Sequence, residues 1–198
     1  MSPLDTNLAI VQGVQEAQRV GNRIKVKKAT FKAVFVPSGY NVSTNPIPEP
    51  VHVKLCLFYE KAKPTTQPVP VSNMFELGAG QYAIQGELSD MVAPFNKDRY
   101  VVVATKTFKL GFQQYFGTGN QPASQQWSNN DFKLNQLINW DFTKHLVKLV
   151  KYNDNATLPI TRGLWMQVMV APASGQPGLS GVIPATMQYW NDLHYEDA

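Results

Sequence analysis

Six cations stand close together early in the chain. Arg19, Arg23, Lys25, Lys27, Lys28 and Lys32 fall within fourteen consecutive residues, out of eighteen Lys and Arg in the whole sequence. No acidic residue occurs from Ala17 through Pro48. The chemistry such a set offers is neutralisation of phosphate. On an extended strand Arg23, Lys25 and Lys27 share one face while Ile24 and Val26 share the other. Lys28 and Lys32 continue outward after a change of parity. The result is a ribbon of positive charge able to hold a polyanion without reading its sequence. A plainer reading of the same residues is a solvated strand whose lysines discourage aggregation. Both readings are open, and polyanion contact is the favoured one.

A second set is aromatic. Tyr115, Phe116 and Trp127 lie in a Gln/Asn/Gly-rich stretch, 111–130. Such rings stack on single-stranded bases or anchor contacts between subunits, where aromatics are enriched; a subunit contact is favoured. Catalytic constellations are missing from the sequence. His52, His145 and His194 are far apart and form no HExxH or HxH pair, and there is no GxSxG. Gly117-Thr118-Gly119 lacks the Gly-Lys-Ser/Thr ending of a phosphate loop. The acidic residues are scattered, with no calcium loop. The lone Cys56 excludes an intrachain disulfide and a multi-cysteine metal site; it is expected to be a buried small residue. No enzymatic activity, metal or cofactor is therefore expected.

The elements that must carry these residues read as strands. Ile24 to Val36 alternates, but its apolar set moves from Ile24 and Val26 to Ala29, Phe31, Ala33 and Phe35. The parity break at Lys27-Lys28 predicts one long strand with a bulge or bend there. Val51 to Glu60 is the cleanest half-buried strand, with Val51, Val53, Leu55, Leu57 and Tyr59 on one face. Arg99 to Leu110, Leu146 to Tyr152, Leu164 to Val170 and Ala185 to Trp190 are further strands. Phe75 to Leu88 is weaker and reads as a strand or a short helix, with Gly78 and Gly80 marking a turn. The best helical stretch is Asn130 to Asn139. Seven or eight strands separated by long Pro- and Gly-rich loops predict an all-β fold with Greek-key connections, a jelly roll or sandwich.

Composition agrees. A chain of 198 residues with 43% hydrophobic content supports one sizeable core. Charged residues are 16%, against roughly 25% in ordinary soluble domains, so neutral polar groups or neighbouring subunits must cover much of the surface. The net charge of +4 bears on partners rather than fold. No apolar run approaches the length of a membrane span, so no membrane insertion is expected.

Four segments, taken in order, resemble the capsid (coat) proteins of circular, replication-initiator-encoding single-stranded DNA viruses, the circovirus-like group. Gln18-Arg19-Val20-Gly21-Asn22-Arg23-Ile24-Lys25-Val26 is similar to their opening strand. Val51 through Lys61 looks like their second long strand, apolar and running into an acidic residue. Asp98-Arg99-Tyr100 through Phe108-Lys109-Leu110 resembles their arginine, apolar strand and Phe-x-Leu segment. Gln188-Tyr189-Trp190-Asn191-Asp192 resembles the aromatic-then-Asp close of their last strand. The resemblance implies an eight-stranded jelly roll over 1–198, with 1–17 an irregular arm. It implies self-assembly into an icosahedral shell of about sixty copies enclosing circular single-stranded DNA, with Arg19 to Lys32 on the inner face. A virion location follows, with passage through the host nucleus and a host glycan or receptor on the outer face. Such proteins usually begin with an Arg-rich arm. This sequence opens Met1-Ser2-Pro3-Leu4-Asp5-Thr6, so the shell-forming part is what is expected of it. A carbohydrate- or ligand-binding β-sandwich module is the competing expectation, motivated by Tyr115, Phe116, Trp127 and Trp190.

Overall fold

The computed structural model describes residues 4–5, 12–13, 18–39, 41, 43–45, 48–62, 74–77, 80–111, 133–157, 159–161, 163–175 and 184–198. These carry ten strands: β1 (Leu4–Asp5), β2 (Arg23–Pro37), β3 (Val51–Glu60), β4 (Phe75–Leu77), β5 (Gly80–Tyr82), β6 (Tyr100–Leu110), β7 (Gln136–Asp141), β8 (Leu149–Lys151), β9 (Trp165–Pro172) and β10 (Ala185–Asp197). The only helical pieces among the described residues are 3-10 turns at Leu88–Met91 and Thr143–His145. The fold is all-β. One sheet runs β1-β9-β3-β6 and the other β10-β2-β7, with β8 also pairing β2. β4 and β5 form a separate hairpin, and every strand pairing is antiparallel.

The apolar alternation of β2 explains the sandwich. Ile24, Val26, Ala29, Phe31, Ala33 and Phe35 are buried, while Arg23, Lys25, Lys27, Lys28 and Lys32 are exposed. The parity break seen in the sequence is a real bulge. His194 pairs Lys28 and Tyr195 pairs Val26, so Lys27 is the extra residue. The inner face of β2 packs with Val51, Val53, Leu55 and Leu57 of β3, with Met166 and Val168 of β9, and with Trp140 and Val150. Phe35 meets Phe108 edge-on at 5.0 Å between ring centroids.

Two elements depart from the sequence reading. Residues 130–139 do not form a helix in their described part; 136–141 is strand β7. A helical reading relies on Leu134, Leu137 and Ile138 sharing one face, yet Leu134 and Leu137 are 63% and 70% exposed. The face that is buried follows period two, through Ile138 and Trp140, which pair Ala33 and Phe31 of β2. The last strand does not stop at Trp190 but continues to Asp197. Leu193 and Tyr195 extend the inward alternation against Ala29 and Val26.

β3 is buried on both faces rather than one. Its second face, with Cys56 and Phe58, lies beneath Met74, Phe75, Met91 and Phe95, so residues 74–77 and 80–96 add a cover over this sheet. Lys54 is carried into that layer. Its ammonium donates to the Met91 carbonyl at 2.8 Å and sits 4.8 Å from the Phe95 ring centroid. Asp90 is buried too, its carboxylate accepting the Gln85, Gly86 and Glu87 N–H groups at 3.0, 2.7 and 3.3 Å. Gly86, at φ +78°, lets these successive N–H groups converge on one oxygen.

Cys56 is fully buried, as expected. Burial pushes its thiol from 9.0 up to about 12, against a smaller opposing pull from Lys54. The folded chain should therefore resist iodoacetamide at pH 8 and react only as urea unfolds it; rapid labelling of the native protein would contradict this burial. The linked stability is complete below pH 9.0 and declines as pH rises towards 12, so the urea midpoint should fall between pH 8 and 10.

Candidate nucleic-acid interface

Directly paired residues of antiparallel strands point to the same side of a sheet. The outer face of the β10-β2-β7 sheet can therefore be read as rows. Glu196 stands beside Lys25 and His194 beside Lys28; Thr30 lies between Asp192 and Asp141, and Lys32 between Trp190 and Asn139. At the far end Arg23 stands beside Lys151 of β8. The basic ribbon read from the sequence is thus present on one face for Arg23, Lys25, Lys27, Lys28 and Lys32, and all five are exposed.

β10 answers much of that charge. Glu196 Oε1 lies 2.8 Å from Lys27 Nζ and 3.5 Å from Lys25 Nζ, and Asp192 pairs with Lys32. The Lys27 hydrogen bond is the main cause holding the Glu196 carboxyl below its ordinary range, and the Lys32 hydrogen bond does the same for Asp192. Asp141 is lowered chiefly by the Thr143 hydroxyl and N–H, at 2.6 and 2.9 Å, with a smaller contribution from Lys28. All three carboxylates lie outside the stretch 17–48, which is why the sequence window there looks purely cationic. These exposed ion pairs contribute little to stability; their effect is on surface potential.

Arg23 and Lys151 are different. They are exposed cations directly opposite one another, and neither makes an ion pair among the described residues. Like charges placed directly opposite one another destabilise a sheet. Lys151 was not legible as part of this set, because it joins β2 only through the pairing with β8.

Arg19 corrects the sequence reading. It is 0% exposed and is no part of the ribbon. Its guanidinium donates to the Ala156 carbonyl at 2.5 Å, to the Asn153 carbonyl at 3.4 Å, to Asn22 Oδ1 at 3.2 Å and to the Gly21 carbonyl. It also lies 4.2 Å from the Tyr152 ring centroid. Asn22 donates to Asp154, and the Asn22 carbonyl accepts the Tyr152 N–H at 2.9 Å. The Arg-Val-Gly-Asn segment is therefore a clamp on the turn 153–156, in which Asn155 takes a left-handed φ of 57°. Burial and carbonyl partners leave no donor fan facing a phosphate.

Tyr115, Phe116 and Trp127 lie outside the described residues. The three histidines are dispersed, on β3, the 143–145 turn and β10. Among the described residues no group of three or more His, Cys, Asp or Glu converges, and no helix is long and apolar enough to cross a membrane.

No family model and no curated protein sequence matches this chain.

The charge balance of this face makes a test. Glu196→Gln frees Lys25 and Lys27 and should tighten retention of a polyanion such as oligothymidine several-fold, with a steeper salt dependence. The Arg23→Glu, Lys151→Glu double variant should weaken retention more than Lys27→Glu alone. Lowering the pH should mimic Glu196→Gln only below pH 4.5, as Glu196 protonates through its lowered range. Equal retention by all variants, in filter-binding titrations across salt, would remove this face as the contact surface.

Proposed function

We propose that this chain is the shell-forming subunit of a small icosahedral virus capsid enclosing circular single-stranded DNA, a structural protein rather than an enzyme. We read its sandwich as a jelly roll. The observation that carries the proposal is how the four segments resembling circovirus-like coat proteins relate in space. The opening one leads into β2 and the closing one lies on β10, and these two strands pair from Ile24–Asp197 to Pro37–Ala185, with the closing segment 188–192 set against residues 30–34. The two middle ones, on β3 and β6, pair from Val51–Leu110 to Glu60–Tyr100. The acidic residue ending β3 and the arginine preceding β6 meet: Arg99 Nε donates to Glu60 Oε1 at 2.8 Å. The two middle motifs, far apart in sequence, thus become direct neighbours, and the outer two fall on one pair of adjacent strands, as parts of one structural plan would.

Further support comes from nesting. Apart from the two-residue β1, which pairs β9, β2 pairs β10 and β3 pairs β9, the first long strand with the last and the second with the next-to-last. A long hairpin rolled on itself produces that order. Charged residues amount to only 16% of the chain, which suits broad lateral contacts between copies. The exposed cations of β2 and Lys151 then face the genome, and the shell places the protein in the virion.

Negative-stain electron microscopy of the purified chain over a range of salt and pH tests the proposal. Uniform closed particles are expected. A monodisperse monomer under every condition would overturn it, and a stable monomer that binds glycans would favour the ligand-binding sandwich instead.

A further inference from the structure

The outer face of the β10-β2-β7 sheet holds an exposed tryptophan that the fold does not use. Trp190 is 56% exposed, and it points away from the core because its neighbours Tyr189 and Asn191 pair the buried Ala33 and Phe31. No ring contact or hydrogen bond to its indole is made among the described residues. It sits beside Lys32, across from Asn139, with Gln188 and Asp192 to either side along its own strand. Leu137, 70% exposed, and Val34 lie in the next row.

The two ends of this face differ in character. Around Trp190 the charge is balanced, because Lys32 pairs with Asp192 and Asp141 lies in the adjoining row. At the other end Arg23 and Lys151 are uncompensated. Nine residues of β2 separate the rows, about 30 Å at ~3.3 Å per residue. A phosphate chain is attracted to the second end but gains little at the first. What the first offers is a flat apolar ring with the Gln188 amide next to it along the strand, which suits the face of a base.

We propose that this face is a bipartite site for single-stranded nucleic acid, with backbone phosphates at Arg23 and Lys151 and an unpaired base stacked on Trp190. This deepens, and rests on, the reading of the β2 face as genome-facing. The selectivity follows from what each polymer exposes. A duplex keeps its base faces stacked inside and offers only phosphates, and a sulfated polysaccharide has no bases. A single strand offers both, and a length of about 30 Å accommodates the few nucleotides of a small single-strand site.

The test uses the full chain with three probes: fluorescein-labelled oligothymidine, a duplex of equal length, and heparin. Trp190→Leu should weaken oligothymidine binding on the order of ten-fold and leave duplex and heparin unchanged, while Trp190→Phe should keep most of the affinity. The Arg23→Glu, Lys151→Glu double variant should weaken all three. Circular dichroism of each variant verifies folding, which an outward residue should not disturb. If Trp190→Leu binds oligothymidine like the parent chain, stacking is overturned while the cationic face stands. If the parent chain binds none of the probes, the site as a whole is overturned. Failure of the chain to form particles while Trp190 still discriminates single strands would overturn the coat reading alone.

Discussion

The structure depends on β2 being paired on both flanks. β10 runs along one side from Pro37 to Ile24, and β7 and β8 divide the other. Because period-two alternation holds along almost the whole strand, its inner face supplies six buried side chains to the core. Without correction, two lysines in succession would turn the second half inside out. The bulge at Lys27 absorbs that extra residue, so Ile24 and Phe35 end on the same side although their spacing is odd. Core continuity and the cationic outer face are therefore two results of one local irregularity.

The opposite sheet solves a different problem. β3 is buried on both faces, so it needs a cover on each. The sandwich core provides one, and residues 74–77 and 80–96 provide the other. That cover contains few hydrogen-bonded strands and is tied down by polar groups taken out of water. The Lys54 ammonium binds carbonyls of the 88–91 turn, and Asp90 collects three N–H groups. Such groups are costly to bury unless satisfied, which makes the arrangement specific rather than merely adhesive.

Much of the fold was legible because alternation is a local signal. β2 with its bulge, β3, β6 and β9 could be read from neighbouring residues alone. β7 could not, since Leu134, Leu137 and Ile138 imitate a helical stripe and only pairing with β2 decides which residues are inside. The candidate site was half legible for a related reason. Charge along one strand is visible in sequence, but its compensation by Asp192 and Glu196, its extension by Lys151 and the burial of Arg19 all come from partners distant in the chain. Side-chain identity was readable there; environment was not.

The union of β2 with β10 also has a consequence in time. The paired residues lie roughly 150 to 170 positions apart in sequence, so this ladder closes one of the longest loops the chain contains. During synthesis β2 emerges early, with Phe31 and Phe35 on its apolar face, and must wait until residues 185–197 have been made before its flank is filled. A chain broken off before that point keeps an open strand edge and an uncovered ring surface. The topology thereby leaves one flank of β2 unfilled until β10 has been made and paired.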